Sequence, residues 1–135
     1  MEGRDMRSAW GIVFALVLIG CSPQGEVDGP VLTAPFRNGG MDALIMGTLV
    51  FDAERDCLTL VREGVELAVV WPAGASWQAS PPGVVLADGQ LIEVGMFVTG
   101  GGGSLPRRLI EQRAGSEVAD AAARCAGTTG EIVLF

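Results

Sequence analysis

Hydrophobic and polar positions divide the chain into an apolar leader, a Pro- and Gly-rich stretch and a β-patterned remainder. Residues 11–19 (GIVFALVLI) form an apolar run without a charge. Residues 21–43 contain many Pro and Gly and show no sustained period, which is typical of a flexible tether with a span of roughly 25 Å. Within this tether, VLTAPF (31–36) is alternatively a short first strand that lies on the domain.

From residue 44 onward, short apolar or alternating runs predict β-strands. The runs are ALIMGTLVFD (43–52), CLTLVRE (57–63), VELAVVWP (65–72), VVLADGQLIEVG (84–95) and EIVLF (131–135). Glu63-Gly64 and Asp88-Gly89 predict tight hairpin turns. Pro72 ends its run because proline has no N–H for a strand ladder.

Three further segments complete the prediction for the domain. Residues 73–83 are interpreted as a loop, and GGGGS (100–104) as a flexible or tightly bent connection or, alternatively, an anion-binding nest. Residues 105–115 are strand or irregular. SEVADAAARCA (116–126) predicts a helix, since Ser116 is a good N-cap residue and a glycine follows the segment.

These elements predict a mainly β fold. We expect a small antiparallel sheet or OB-like barrel of five to six strands with one short C-terminal helix, preceded by a signal helix and the tether. The corresponding divisions are 1–20 (signal peptide), 21–43 (lipid-anchored tether) and 44–135 (β domain).

Composition excludes several kinds of chemistry. The chain has no His and no Lys, so Ser-His nucleophile pairs, imidazole metal ligands and Schiff-base lysines are excluded. Its net charge of −7 disfavours a nucleic-acid partner, because phosphate binding needs clustered cations. We therefore expect no enzymatic activity and no cofactor.

The end of the apolar run resembles the lipobox of bacterial lipoproteins. The matching residues are Leu18, Ile19 and Gly20, followed by Cys21, and Arg4 and Arg7 lie ahead of the run as in a signal peptide. The resemblance implies cleavage after Gly20, a diacylglyceryl group on the Cys21 thiol and a fatty acyl chain such as palmitate on the new N-terminus. The alternative is an ordinary secretory signal or short membrane anchor in which the cysteine is coincidental.

This resemblance also implies where the protein is found. It implies a bacterial cell envelope, on the outer side of the cytoplasmic membrane or in the outer membrane, with the membrane as partner through the acyl chains. Removal of residues 1–20 takes away two arginines and two acids, so the net charge of the mature chain remains −7. Anionic headgroups repel such a chain, and the acyl chains have to supply the anchoring.

Lipidation of Cys21 would leave Cys57 and Cys125 as a pair. An oxidising compartment permits a disulfide between them, and closure of so long a loop stabilises the fold by roughly 4 kcal/mol. The alternatives are two separately buried thiols or, less favoured, a reactive thiol. The stretch 57–95 with Cys125 also resembles small secreted or lipid-anchored bacterial proteins of unassigned function, which implies a disulfide-tied β domain.

Two groups of side chains are candidates for binding. Asp52, Glu54 and Asp56 alternate and can in principle hold Ca²⁺, although a solvated turn is the better interpretation and we predict no metal site. Trp71 and Trp77 form a candidate binding patch, or else a core anchor and a barrel cap.

The function expected from the sequence is thus a membrane-anchored envelope lipoprotein with a non-enzymatic binding or interaction module and an envelope protein as partner. The alternative is a small-molecule or ion-binding lipoprotein.

Overall fold

A computed structural model describes residues 24–35 and 43–135. The described residues form ten strands and two helices. The strands are β1 (Val27–Asp28), β2 (Val31–Thr33), β3 (Ala43–Asp52), β4 (Cys57–Arg62), β5 (Val65–Trp71), β6 (Ser76–Ala79), β7 (Pro82–Val85), β8 (Leu91–Glu93), β9 (Phe97–Leu105) and β10 (Ile132–Leu134). The helices are α1 (Arg107–Ala114) and α2 (Ser116–Cys125).

Five of the strands close into a barrel, which confirms the expected OB-like barrel. β3, β4 and β5 form an antiparallel meander. β10 lies parallel to β5 and antiparallel to β9, and β9 pairs antiparallel with β3, so the ring runs β5-β10-β9-β3-β4 and back to β5. Side chains from inside the ring form one core cluster, which includes Leu49, Leu60 and Val69.

The predicted hairpin turns are confirmed. Glu63 and Gly64 both have positive φ (51° and 77°), the combination that a two-residue type I′ turn between β4 and β5 requires. Gly89 also has a positive φ (89°) and lies in the turn between β7 and β8. Pro72 follows the last residue of β5, as expected.

The glycine-rich segment 100–104 is part of strand β9, so its interpretation as a flexible connection is wrong. None of these glycines adopts a positive φ, and Gly100, Gly101 and Gly102 pair with β3 in register. The reason for glycine is space. The ring of Phe135 lies where a side chain on Gly100 would be, with its Cζ only 2.5 Å from the Cβ position.

Residues 73–83 contain strand structure, so their interpretation as a loop is also wrong. β6, β7 and β8 form a separate three-stranded antiparallel sheet. Pro82 is the first residue of β7, a position at which a strand tolerates proline. Val84 and Ile92 are buried in the barrel's core cluster, so this small sheet covers part of the barrel interior.

Residues 24–35 are folded onto the barrel, which contradicts a flexible tether for this part of 21–43. β1 and β2 form a hairpin, and β2 pairs in parallel with the end of β5. Val31 is fully buried, and Leu32 is 4% exposed. The alternative of a short first strand is therefore the correct one, while residues 21–23 and 36–42 lie outside the described residues.

A helical layer covers one side of the barrel. α2 was expected, but α1 replaces the strand or irregular segment predicted for 105–115, so the chain has two C-terminal helices where one was expected. Ile110 and Ala114 are the buried residues of α1, which is too few for a visible helical period. α2 packs on β5 and the neighbouring strands, and a second core cluster that includes Val70, Val118 and Ala122 fills the space between helices and barrel.

Candidate functional site

Among the described residues, the two most exposed large hydrophobic side chains, Leu44 and Phe97, lie on the outer face of β3 and β9. We define the β3–β9 face as the outward residues Leu44, Met46, Thr48 and Val50 of β3 and Phe97 and Thr99 of β9; the next outward residue of β3, the charged Asp52, bounds the face. Leu44 is 62% exposed and Phe97 63% exposed. Since Thr48 lies opposite Phe97 and Met46 opposite Thr99, the face is one continuous surface without a charged side chain.

The barrel ring explains why this face is uncovered. In a ring of the order β5-β10-β9-β3-β4, the β9–β3 pair lies across from β5. The helices pack on the β5 side, and their cluster takes in outward residues of that side such as Ala68 and Ile132. The β3–β9 face is therefore the part of the barrel wall that points away from the helical layer.

A pocket adjoins the β3–β9 face at the junction with the small sheet. Its volume is about 240 Å³. The lining residues are Leu86, Gln90, Ile92, Met96, Phe97, Val98, Thr99 and Phe135. Small-molecule sites usually measure roughly 300–1,000 Å³, so a pocket of this size fits one large side chain better than a whole ligand. Met96, at 45% exposure, extends the apolar surface at its edge.

Charges are distributed unevenly between the two sides of the described chain. The helices hold four arginines and three acids: Arg107, Arg108, Arg113, Arg124, Glu111, Glu117 and Asp120. The other described residues hold two arginines and ten acids: Arg55, Arg62, Glu26, Asp28, Asp52, Glu54, Asp56, Glu63, Glu66, Asp88, Glu93 and Glu131. The uncharged β3–β9 face thus belongs to the strongly acidic part.

The acidic turn between β3 and β4 is held by an arginine. Asp52 accepts hydrogen bonds from the backbone N–H groups of Glu54 (3.0 Å) and Arg55 (3.3 Å) and from the Arg55 Nε (2.7 Å). The Arg55 side chain is the main cause that holds the pKa of the Asp52 carboxyl below its ordinary value, and the same bond raises the pKa of Arg55. Arg55 also reaches Glu66 at 3.3 Å.

These contacts make the turn a hydrogen-bonded structural element. The Asp52 carboxylate is engaged by Arg55 and the turn's own backbone, as expected for a solvated turn. Among residues 24–35 and 43–135, no three Cys, Asp or Glu side chains are grouped as metal ligands.

The two tryptophans of the candidate patch have different environments. Trp71 is fully buried and its ring lies 5.0 Å from that of Phe135, so it is a core residue and not part of a surface patch. Trp77 is half-buried, 4.8 Å from the ring of Phe51, and its backbone N–H donates to Asp28 at 3.0 Å. The pair does not form one site; Trp77 packs over the end of the barrel.

The cysteines agree with the predicted pairing as far as the structure describes them. Cys57 and Cys125 form a disulfide with a Cα–Cα distance of 5.4 Å, and the bond ties β4 to the end of α2. The candidate lipidation site Cys21 lies outside the described residues. Within the described ranges, no helix has the length and apolar character to cross a membrane.

The exposed face was missed in the sequence, although β3 carries a signal for it. A strand with one solvent face usually alternates between apolar and polar residues. In β3, the inward residues Ile45 and Leu49 are apolar, and so are the outward residues Leu44 and Val50. These apolar residues on both faces of β3 are the departure from simple alternation that was overlooked in the sequence. In comparisons with known proteins, no family model, no curated protein and no solved structure matches this chain.

Proposed function

We propose that this protein is a lipid-anchored, non-enzymatic binding module of a bacterial cell envelope, and that its β3–β9 face binds an envelope protein. The observation that carries the proposal is the uncharged β3–β9 face, on which Leu44 and Phe97 are 62% and 63% exposed, together with its adjoining pocket. Large exposed apolar patches on soluble domains mark interaction sites.

The residues of the face have the character of interface anchors. Full burial of a side chain such as Leu or Phe contributes about 1.5–3 kcal/mol, and Leu44 and Phe97 both keep most of their surface in water. Interfaces concentrate their binding energy in a few such anchors, which pair with pockets on the partner. The pocket beside Phe97 offers the reciprocal arrangement, a site for one apolar side chain of the partner.

The charges indicate the chemistry of the partner. Outside the helices, acids outnumber arginines by ten to two among the described residues, so the apolar face lies on an acidic body. A complementary surface has apolar anchors surrounded by Lys or Arg, and such charge pairs accelerate association at low salt. We therefore expect a basic partner whose association rate falls as the ionic strength rises.

The lipobox resemblance supports the anchoring part of the proposal. Replacement of Cys21 by Ser removes the thiol that would carry the diacylglyceryl group. We expect Cys21→Ser to lose the acyl mass and to leave the membrane fraction, whereas Cys57→Ser retains both. Unchanged mass and unchanged membrane fractionation of Cys21→Ser refute the lipoprotein assignment.

Crosslinking in the native envelope tests the binding part. A photoreactive residue at Thr99, in the middle of the face, is activated in cells, and the crosslinked partner is identified by mass spectrometry. We expect Phe97→Ser to reduce the yield of that same product at least tenfold, since a buried anchor contributes about 1.5–3 kcal/mol. Glu117→Gln, on the exposed surface of α2, is the matched control and leaves the yield unchanged. A yield that Phe97→Ser does not alter, in a variant that unfolds at the wild-type temperature, refutes the assignment of this face.

A further inference from the structure

The first described residues are attached to the junction between α1 and α2. The backbone N–H of Gly25 donates to the carbonyl oxygen of Ala114 at 2.8 Å. Gln24 lies beside Gly115, whose Cβ position is 3.7 Å from the Gln24 side chain. The chain therefore enters the folded domain at the helical layer, on the side of the barrel away from the β3–β9 face.

The distance from this entry point to the candidate lipid site is short. Cys21 precedes Gln24 by three residues. Each residue of extended chain spans at most about 3.6 Å, so the Cys21 Cα lies within roughly 11 Å of the Gln24 Cα. This limit replaces the 25 Å expected for a tether over residues 21–43. An acyl anchor on Cys21 holds the α1–α2 junction close to the lipid headgroups.

The helical layer also differs from the rest of the domain in charge. It is the part of the described chain in which arginines outnumber acids, by four to three. Arg107 is paired with Asp120. Arg108, Arg113 and Arg124 are exposed and have no ion pair with another described residue.

We propose that the α1–α2 layer is the surface that this domain turns toward an anionic membrane, with Arg108 and Arg113 of α1 against the lipid phosphates. The proposal rests on the lipidation of Cys21. An arginine near an anionic bilayer is attracted to it, and acids on the opposite side of the domain, such as Asp88 and Glu93 of the small sheet beside the β3–β9 face, are repelled. Both forces turn the domain in the same direction, and both leave the β3–β9 face pointing away from the membrane, where a protein partner reaches it.

The rate at which each arginine is chemically modified tests this orientation. The acylated protein is reconstituted in vesicles made of equal parts of phosphatidylcholine and phosphatidylglycerol, and its arginines are modified with phenylglyoxal and quantified by mass spectrometry. Arg62 is the internal control. Arg62 pairs with Val65, the first residue of β5. The chain entry at residues 24–26 lies at the other end of β5, because Glu26 is hydrogen-bonded to Thr33 and Thr33 pairs with Trp71, the last residue of the strand. Seven residues of strand separate the two ends by about 20 Å.

We expect modification of Arg108 and Arg113 to slow about fivefold in the anionic vesicles relative to vesicles of phosphatidylcholine alone. Arg62 should react at the same rate in both. Equal rates for Arg108 and Arg113 in the two vesicles, or equal protection of Arg62, overturn the orientation. The intact mass is measured first: a protein that carries no acyl chain refutes the proposed anchoring, and the orientation with it. An acylated protein in which Arg108 and Arg113 are unprotected refutes the orientation alone.

Discussion

Two neighbouring glycines of β9 differ in the space available for a side chain, and this difference gives a testable prediction. Gly101 and Gly102 both lie in the middle of the strand, and both pair with β3. Gly101 points outward, and an added Cβ meets no atom within 4 Å. Gly102 points inward, where an added Cβ overlaps the carbonyl oxygen of Leu134 and comes within 2.5 Å of the Ile45 Cδ1. The same chemical change therefore meets open space at one position and backbone at the next.

The two variants should shift stability in opposite directions. Alanine in a strand interior is favoured over glycine by roughly 0.5–1 kcal/mol, so we expect Gly101→Ala to stabilise the domain by about that amount. Gly102→Ala has to displace the β10 backbone, and overpacking of this kind costs typically about 1–3 kcal/mol. The difference between the variants is then roughly 1.5–4 kcal/mol. For a domain of this size, each kcal/mol moves the Tm by about 4–8 °C.

Urea unfolding of the oxidised domain, followed by tryptophan fluorescence, measures both free energies. The slope of the transition is compared among the three proteins, since an unchanged slope shows that the difference lies in the free energy of unfolding. Equal midpoints for Gly101→Ala and Gly102→Ala refute the argument, because they would mean that β9 does not run as close to β10 as the structure places it.

Two further predictions concern covalent and ionic contacts. Replacement of both Cys57 and Cys125 by Ala opens a loop whose ends are 68 residues apart, and we expect the free energy of unfolding to fall by up to about 4 kcal/mol; a loss below about 1 kcal/mol refutes the entropic estimate. The pKa of Asp52 is lowered in the folded protein, so its stabilising contribution is present above the unfolded value near 3.8 and is lost as the pH falls through the folded value. Asp52→Asn should therefore be less stable than wild type at neutral pH and converge with it in acid, with Glu54→Gln as control; a deficit that persists in acid contradicts the assignment.

The barrel was predictable because local signals agree with the long-range pairing. Each local signal involves only a few residues, and the structure contains each of the predicted features. These are the strand β4 with its alternating residues, the turn at Glu63-Gly64 and the end of β5 before Pro72. The pairing of Cys57 with Cys125 was also predictable, although only through the implied use of Cys21.

The elements that were misread depend on distant parts of the chain. In the sequence, Gly100 and Gly102 indicate a flexible connection, but both lie in strand β9. Glycine is required there because Phe135 and Leu134 occupy the space beside the two positions. β6 and β7 are short, and Pro81 and Pro82 lie between them and at the start of β7, so the segment has the composition of a loop although its two strands pair. α1 was not predicted because its buried residues are only Ile110 and Ala114, which are too few to show a helical period in the sequence.

The candidate site was harder to predict than the fold. Which outer face of a barrel remains exposed depends on where the helices pack, and their position follows from the three-dimensional closure of the ring. The outward apolar residues of β3 are visible in the sequence, but the opposite position of the helical layer is not.

The pairing of β2 with the end of β5 sets a limit on how the protein can be shortened. A soluble version that begins at residue 44 lacks Val31, Leu32 and Ala34, none of which exposes more than 4% of its surface. It would leave the backbone of Trp71 without its partner and uncover the core beneath. Cleavage after Gly20 would retain all of these residues, and it would trim the chain almost as closely as the folded domain tolerates.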